Sequence, residues 1–188
     1  MAGPVVVREY VPGEPIAPIT ALLHAAYAVL GRAGMRYLAS HQGDDVTRRR
    51  LGSSSAAFIA EADGRPVGTI SLRSPERNSI VEWYRRPDVF VLAQLGVHPD
   101  FQRCGVGFRL YCAAIAAARR RGAAHVALDT SEDATRLING YKRYGFEIVE
   151  RFSWPGTNYR SVVMSMPLAA SLQTQSHAMG AVPPEAEA

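Results

Sequence analysis

Apolar positions along this chain switch between two periods, and the switches outline its elements. Val5 to Tyr10 reads as a first strand, closed by Pro12 and Gly13. Ile19, Leu22, Leu23, Ala26, Tyr27 and Leu30 then recur at helical spacing between Ile16 and Leu30, until Gly31 and Gly34 break the pattern. A shorter helix is expected from about Asp45 to Leu51, with Asp44 as its cap. Ala56 to Glu61 and Val67 to Leu72 are β-type runs flanking Asp63-Gly64, a strong hairpin signal. After a longer connection, Val89 to Val97 is apolar except for Gln94 and Gly96, as in a strand buried on both faces, and Pro99 ends it.

The second half continues the alternation. Val106, Leu110, Ala113 or Ala114, and Ala117 share one face of a long helix. Ala124 to Asp129 reads as a strand. A helix within Thr130 to Phe146 carries Leu137, Ile138, Tyr141 and Tyr144 on one face, with Thr130 and Asp133 as a capping-box-like start and Gly145 as a left-handed stop. Ile148 to Phe152 and Tyr159 to Met166 are the last strands. Residues 1–168 thus form one expected domain, and 169–188, rich in Ala, Ser, Gln, Pro and Glu without periodicity, an expected disordered tail.

Composition narrows the function classes. A 188-residue chain with 47% hydrophobic and 20% charged residues suits one soluble domain with a real core. The net charge of +4 would suit a polyanion, but the arginines are scattered. The triplets Arg48–Arg50 and Arg119–Arg121 sit on helical stretches and read as solvated faces, and no aromatic-interleaved basic stripe indicates nucleic acid. Cys104 and Cys112 are spaced neither for a disulfide nor for a metal, so no metal is expected and reduced thiols in a cytoplasmic protein are. No segment approaches a membrane span. His24 has no partner spaced to make it a ligand and reads as a boundary histidine.

The chemistry concentrates after the Val89–Val97 strand. Gln102, Arg103, Cys104, Gly105, Val106, Gly107 and Phe108 lead from a buried strand into a helix, which aims backbone N–H groups and the positive end of a helix dipole at one point. Leu110 stands where a dinucleotide fingerprint needs its third glycine, and no Lys-Ser or Lys-Thr follows Gly107, so neither a Rossmann nor a Walker loop fits. Gln102, Gly105 and Gly107, preceded by Leu95, Gly96, Val97, His98 and Pro99, instead resemble the phosphate-binding segment of the GNAT superfamily of N-acetyltransferases. Tyr141 followed by Tyr144, Gly145 and Phe146 resembles a second signature of that superfamily.

The resemblance implies an α/β fold of the α+β type: a mixed, mostly antiparallel central sheet flanked by helices, with central strands splayed to admit acetyl-CoA. Backbone groups of Leu95, Gly96 and Val97 would hold the pantetheine arm, and those of Gln102 to Phe108 the pyrophosphate. It also implies transfer of acetyl to a primary amine of a small molecule or peptide by direct attack, with Tyr141 as general acid for the departing thiolate. The base is less defined: Glu82 is the first candidate, with Asp88 and His98 behind it. No nucleic-acid or membrane partner follows, and a homodimer is an open option. Two departures stand out, since Ala134 replaces an asparagine that often contacts the cofactor and Gly140 replaces a leucine. A non-catalytic acyl-CoA-binding or regulatory module on the same fold is the alternative.

Overall fold

The computed structural model describes residues 3–168; the tail expected from Ala169 onward lies outside them. In chain order the elements are β1 (Val6–Glu9), α1 (Ala17–Arg32), α2 (Asp44–Gly52), β2 (Ala56–Ala62), β3 (Arg65–Arg73), β4 (Val89–Val97), α3 (Val106–Arg120), β5 (His125–Ser131), α4 (Thr135–Arg143), β6 (Glu147–Phe152) and β7 (Ser161–Pro167). The seven strands form one sheet in the order β1-β2-β3-β4-β5-β7-β6, antiparallel everywhere except between β4 and β5. This is the mixed, mostly antiparallel sheet flanked by helices that the resemblance implies.

Strand alternation sorts the two helical layers. Phe58, Ala60 and Ala62 of β2 join the core beneath α3, where Val106, Leu110, Ala114 and Ala117 are buried. Ala57 and Ile59 face the other way, into a cluster with Ile16 and Ile19 at the start of α1 and Leu51 of α2. Two glycines let the helices approach the sheet. A Cβ on Gly96 would come within 3.2 Å of the Ala26 Cβ on α1, and one on Gly68 within 2.8 Å of Leu110 Cδ1 on α3. Helix α4 touches both layers, with Ile138 in the core under α3 and Leu137 packed with Leu30 of α1.

Most boundaries follow the periodicities. Asp63 (φ 50°) and Gly64 (φ 72°) form the β2–β3 turn, with Ala62 opposite Arg65. Both are left-handed, which gives the turn the twist that a two-residue hairpin needs. Gly145 (φ 87°) follows the last turn of α4 as expected.

Three expectations need correction. Thr130 belongs to β5, and its hydroxyl is hydrogen-bonded to that of Tyr37 at 2.7 Å, so it caps nothing. Helix α4 begins only at Thr135, after Ala134, with no side-chain cap; the nearby turn is held by the Asp133 N–H donating to Ser131 Oγ. Asp44 is the first residue of α2 rather than its cap, a place taken by Gly43. Finally, the Arg48–Arg50 triplet is not uniformly a solvated face. Arg48 and Arg49 are exposed, while Arg50 is partly buried against a cavity. Among the described residues, no helix is long and apolar enough to cross a membrane.

Candidate active site

The site begins with a parting of strands. β4 and β5 pair only through Val89–Val91 and His125–Ala127, although β4 continues to Val97 and β5 to Ser131. β5 keeps its full ladder to β7, so the edge that opens is the one between β4 and β5. A bulge shapes that edge. Between the pairs Ser71–Ala93 and Thr69–Gly96, β4 spends one residue more than β3, and Gln94 takes a left-handed φ of 53°. Beyond it, the His98 N–H donates to Val67 O on β3. Alternation then turns the backbone groups of Leu95 and Val97 towards the opened side. Their carbonyls indeed meet side chains there: Tyr27 Oη donates to Leu95 O at 2.9 Å, and Gln102 Nε2 to Val97 O at 3.2 Å.

From Val97 the chain passes through a short 3₁₀ turn at Pro99–Phe101 into the glycine segment. Arg103 (φ 63°) and Gly105 (φ 78°) are left-handed, and the fifteen-residue α3 follows at once, with Gly105 as its N-cap. Its first intrahelical bond is Arg109 N–H to Gly105 O. The loop therefore faces outward with the first-turn amides of a full-length helix, an arrangement that suits phosphate oxygens. Of the expected loop residues, Cys104 is an exposed free thiol and Phe108 is exposed, whereas Val106 and Gly107 are buried against the sheet. Gly96 and Val97 are likewise buried, so they contribute backbone only.

Two hollows meet at the strand opening. A small one of about 60 Å³ lies between β4 and β5, bounded by Leu95, Tyr111, Leu128, Tyr141 and Tyr144. A large one of about 660 Å³ extends from it beneath α1, α2 and the β6–β7 loop, reaching Tyr37, Arg50, Arg73, Trp154 and Tyr159. That volume suits a small-molecule ligand. Gln94, Asp129 and Tyr141 border both. Asn158 pins the covering loops together: its Oδ1 accepts from Arg36 N–H at 3.1 Å and its Nδ2 donates to Gly34 O at 2.7 Å.

Hydrogen bonding and position together set one tyrosine apart: Tyr159 also makes no side-chain hydrogen bond to a described residue but borders only the large cavity. Tyr27 is tied to Leu95, Tyr37 to Thr130 and Ser131, Tyr84 to Asp129, and Tyr111 to Met166 Sδ. Tyr141 makes no side-chain hydrogen bond to a described residue, yet it stands where the two hollows join, its ring 5.7 Å from that of Phe146. Burial raises its phenol well above the ordinary value, and the nearby Tyr27, Tyr37 and Asp129 add to the shift. Tyr141 is thus a protonated donor throughout the neutral range.

The expected bases are placed elsewhere. Glu82 is exposed and borders neither hollow, and its backbone N–H donates to Glu150. Asp88 is committed to Arg86 and His125 at the start of β4, and His98 Nδ1 accepts from Asp100 N–H past the strand's end. His24 is a structural tie, 2.8 Å from Gln42 O. The carboxylate that the structure does bring to the junction is Asp129, which accepts from Tyr84 Oη at 2.9 Å and Trp154 Nε1 at 2.8 Å. Its signal in the sequence was slight: a lone acid at the end of an apolar strand. Ala134, at the position where the resemblance implies an asparagine, is buried beside Leu30 and Leu137 and packs with them.

These features coincide with known proteins. The profile of the acetyltransferase (GNAT) family matches residues 20–146. The S-(2-succino)cysteine N-acetyltransferase of Bacillus subtilis is 26% identical over 64% of this chain and 72% of its own length. A probable N-acetyltransferase, camello, of Xenopus tropicalis is 30% identical over 55% of this chain, which spans 44% of that relative. The fold of a GNAT family acetyltransferase from Elizabethkingia anophelis, solved with acetyl-CoA bound, superposes with a TM-score of 0.63 at 16% identity, covering 87% of this chain and 98% of that one. With the parted β4 and β5, the glycine segment before α3 and this match over most of its length, the chain belongs to the acetyltransferase (GNAT) family.

Proposed function

We propose that the chain transfers an acetyl group from acetyl-CoA to a primary amine by direct attack. The observation that carries this reading is Tyr141, an uncommitted hydroxyl at the junction of the strand opening and the large cavity. The residues fit acetyl-CoA. The opened edge at Leu95 and Val97 can add an extended amide chain as a further strand, and the left-handed loop at Arg103 and Gly105 brings backbone amides to a diphosphate. When bound, acetyl-CoA supplies the activated acyl group. Backbone amides of Leu95 and Val97 orient the arm, and Tyr141 gives its proton to the leaving sulfur. Asp129 holds the incoming ammonium and accepts a proton from it, a role for which the sequence alone suggested Glu82. Relatives and neighbours carry names with varied amine acceptors, among them S-(2-succino)cysteine and, in one solved complex, a peptide.

The test is release of free CoA thiol on mixing the chain with acetyl-CoA and a library of primary amines. Amine-dependent release supports the proposal. Binding of acetyl-CoA with no release across the library would leave the non-catalytic acyl-CoA-binding module in its place.

A further inference from the structure

We infer that the acceptor bears a carboxylate beside its amine, and that Arg50, with the Gln94 amide, receives it. The inference rests on the transferase reading for the amine half only. Arg50 lies in the last turn of α2 and borders the large cavity. No carboxylate among the described residues is ion-paired with it. Arg73, the neighbouring arginine of the cavity wall, is paired with Glu76, and Arg36 on the same wall is exposed, which leaves Arg50 as the partly buried arginine there without an ion pair. Desolvation lowers the Arg50 pKa; Tyr27 and Asp129 oppose the shift, and Arg73 adds to it. A desolvated cation without a counterion costs stability, which an anion entering the cavity would offset.

The hydrogen bonds around Arg50 use up acceptors and leave donors. Arg50 Nη1 donates to Gln42 Oε1 at 2.8 Å. Gln42 is buried, and its Nε2 donates to Thr47 Oγ1 at 2.8 Å and to Gln94 Oε1 at 2.9 Å. The guanidinium therefore fixes the orientation of the Gln42 amide, and Gln42 fixes that of Gln94. What remains is Gln94 Nε2, a buried donor with no partner in a side chain only 4% exposed, on the wall of the same cavity. Such orphans are rare and point to a missing partner. One cation and one neutral donor on the same wall, linked through the Gln42 amide that both contact, form a receptor for a carboxylate. Asp129 on the β5 side of the cavity complements it for the ammonium. The substrate class is a small amino acid or a close relative, rather than a polyamine or an uncharged amine.

Two matched series decide the matter in the full-length protein with acetyl-CoA: L-amino acids and their carboxamides, read by CoA release. The acids should exceed their amides in kcat/KM by roughly 10- to 100-fold, as a charge-assisted pair gives in a desolvated site. Arg50→Gln should collapse that ratio by raising KM for the acids far more than for the amides, and Arg50→Lys should restore part of it. Amides as good as acids, or a ratio that survives Arg50→Gln, would overturn the inference. If neither series releases CoA, the melting temperature of the CoA-loaded protein with N-acetyl-amino acids or N-acetyl-amino amides separates the two readings. Stabilisation by the acids alone, lost in Arg50→Gln, keeps the carboxylate site while the transferase reading falls. No difference between the series refutes the site itself.

Discussion

Gly68 of β3 lies against Leu110 of α3 so closely that a Cβ on the glycine would stand 2.8 Å from Leu110 Cδ1 and 3.0 Å from Val106 Cγ1. Both partners are at most 1% exposed, so a shift of either must displace other core side chains. Gly68→Ala should therefore lift the start of α3 from the sheet and lower stability by about 1–3 kcal/mol, the usual cost of overpacking. Because the glycine loop leads directly into that turn, the same variant should bind acetyl-CoA more weakly. Thermal melting with and without acetyl-CoA reads both effects, and a variant with native melting and native ligand shift would show that the contact relaxes freely.

Gly105 offers a cleaner probe of the loop. A Cβ there meets nothing within 4 Å, but its φ of 78° disfavours any L side chain. Gly105→Val should distort the loop while the core beneath α3 stays intact. At ligand concentrations ~100 times the dissociation constant, acetyl-CoA should stabilise the native chain by about 2.7 kcal/mol. Most of that shift should vanish in the variant. A full shift in Gly105→Val would place the diphosphate elsewhere.

Acid sensitivity should trace partly to the first strand. Glu14 accepts from both terminal nitrogens of Arg8 and from Val11 N–H, and the Arg8 bond holds its carboxyl below the ordinary value of 4.5. A carboxyl depressed on folding contributes stability that is complete above its unfolded pKa and is lost as pH falls through the folded one. The melting temperature of native protein should thus exceed that of Glu14→Gln most above pH 4.5, and the gap should narrow as the pH drops further. A gap that widens in acid would reverse the sign and refute the assignment.

What could be read from the sequence was what local rules govern. Asp63-Gly64 dictated a hairpin because two left-handed residues are needed there, and Val89–Val97 announced a central strand because it is covered on both sides. The glycine segment and the Tyr141 signature were local too. The residues proposed for the acceptor side were not, since the Gln42–Arg50 stretch, Gln94 on β4 and Asp129 on β5 are three separate segments that meet only in the fold. A trace of Arg50 was present all the same. It lies three residues beyond Thr47, the buried face of α2, whereas Arg48 and Arg49 point outward, so the helical period divides a triplet that reads as one charge run. Thr130 misled for a different reason: a capping-box pattern specifies no helix where the strand ladder with β7 claims the residue first.

The role of Tyr141 is the sharpest prediction. Tyr141→Phe keeps the ring, its edge-on contact with Phe146 and its packing beside Leu30 and Leu137, and deletes only the hydroxyl. That hydroxyl holds no described residue by a side-chain hydrogen bond, so melting should change little. If it protonates the leaving sulfur, turnover should fall by roughly 10²–10⁴-fold, the range for positioned acid–base groups. Acetyl-CoA affinity should change far less, because the loop at Gly105 and the edge at Leu95 are untouched. The raised phenol pKa has a further consequence. A donor that stays protonated far into the alkaline range imposes no loss of rate on its own account as pH rises through neutrality, so any alkaline limb should persist unchanged in the Phe variant. A thioester with a more acidic leaving thiol needs less proton donation, and with it the gap between native and Tyr141→Phe should shrink. Near-native turnover in a folded Phe variant, or a gap independent of thiol acidity, would remove Tyr141 from the chemistry and leave it a packing residue at the mouth of the cavity.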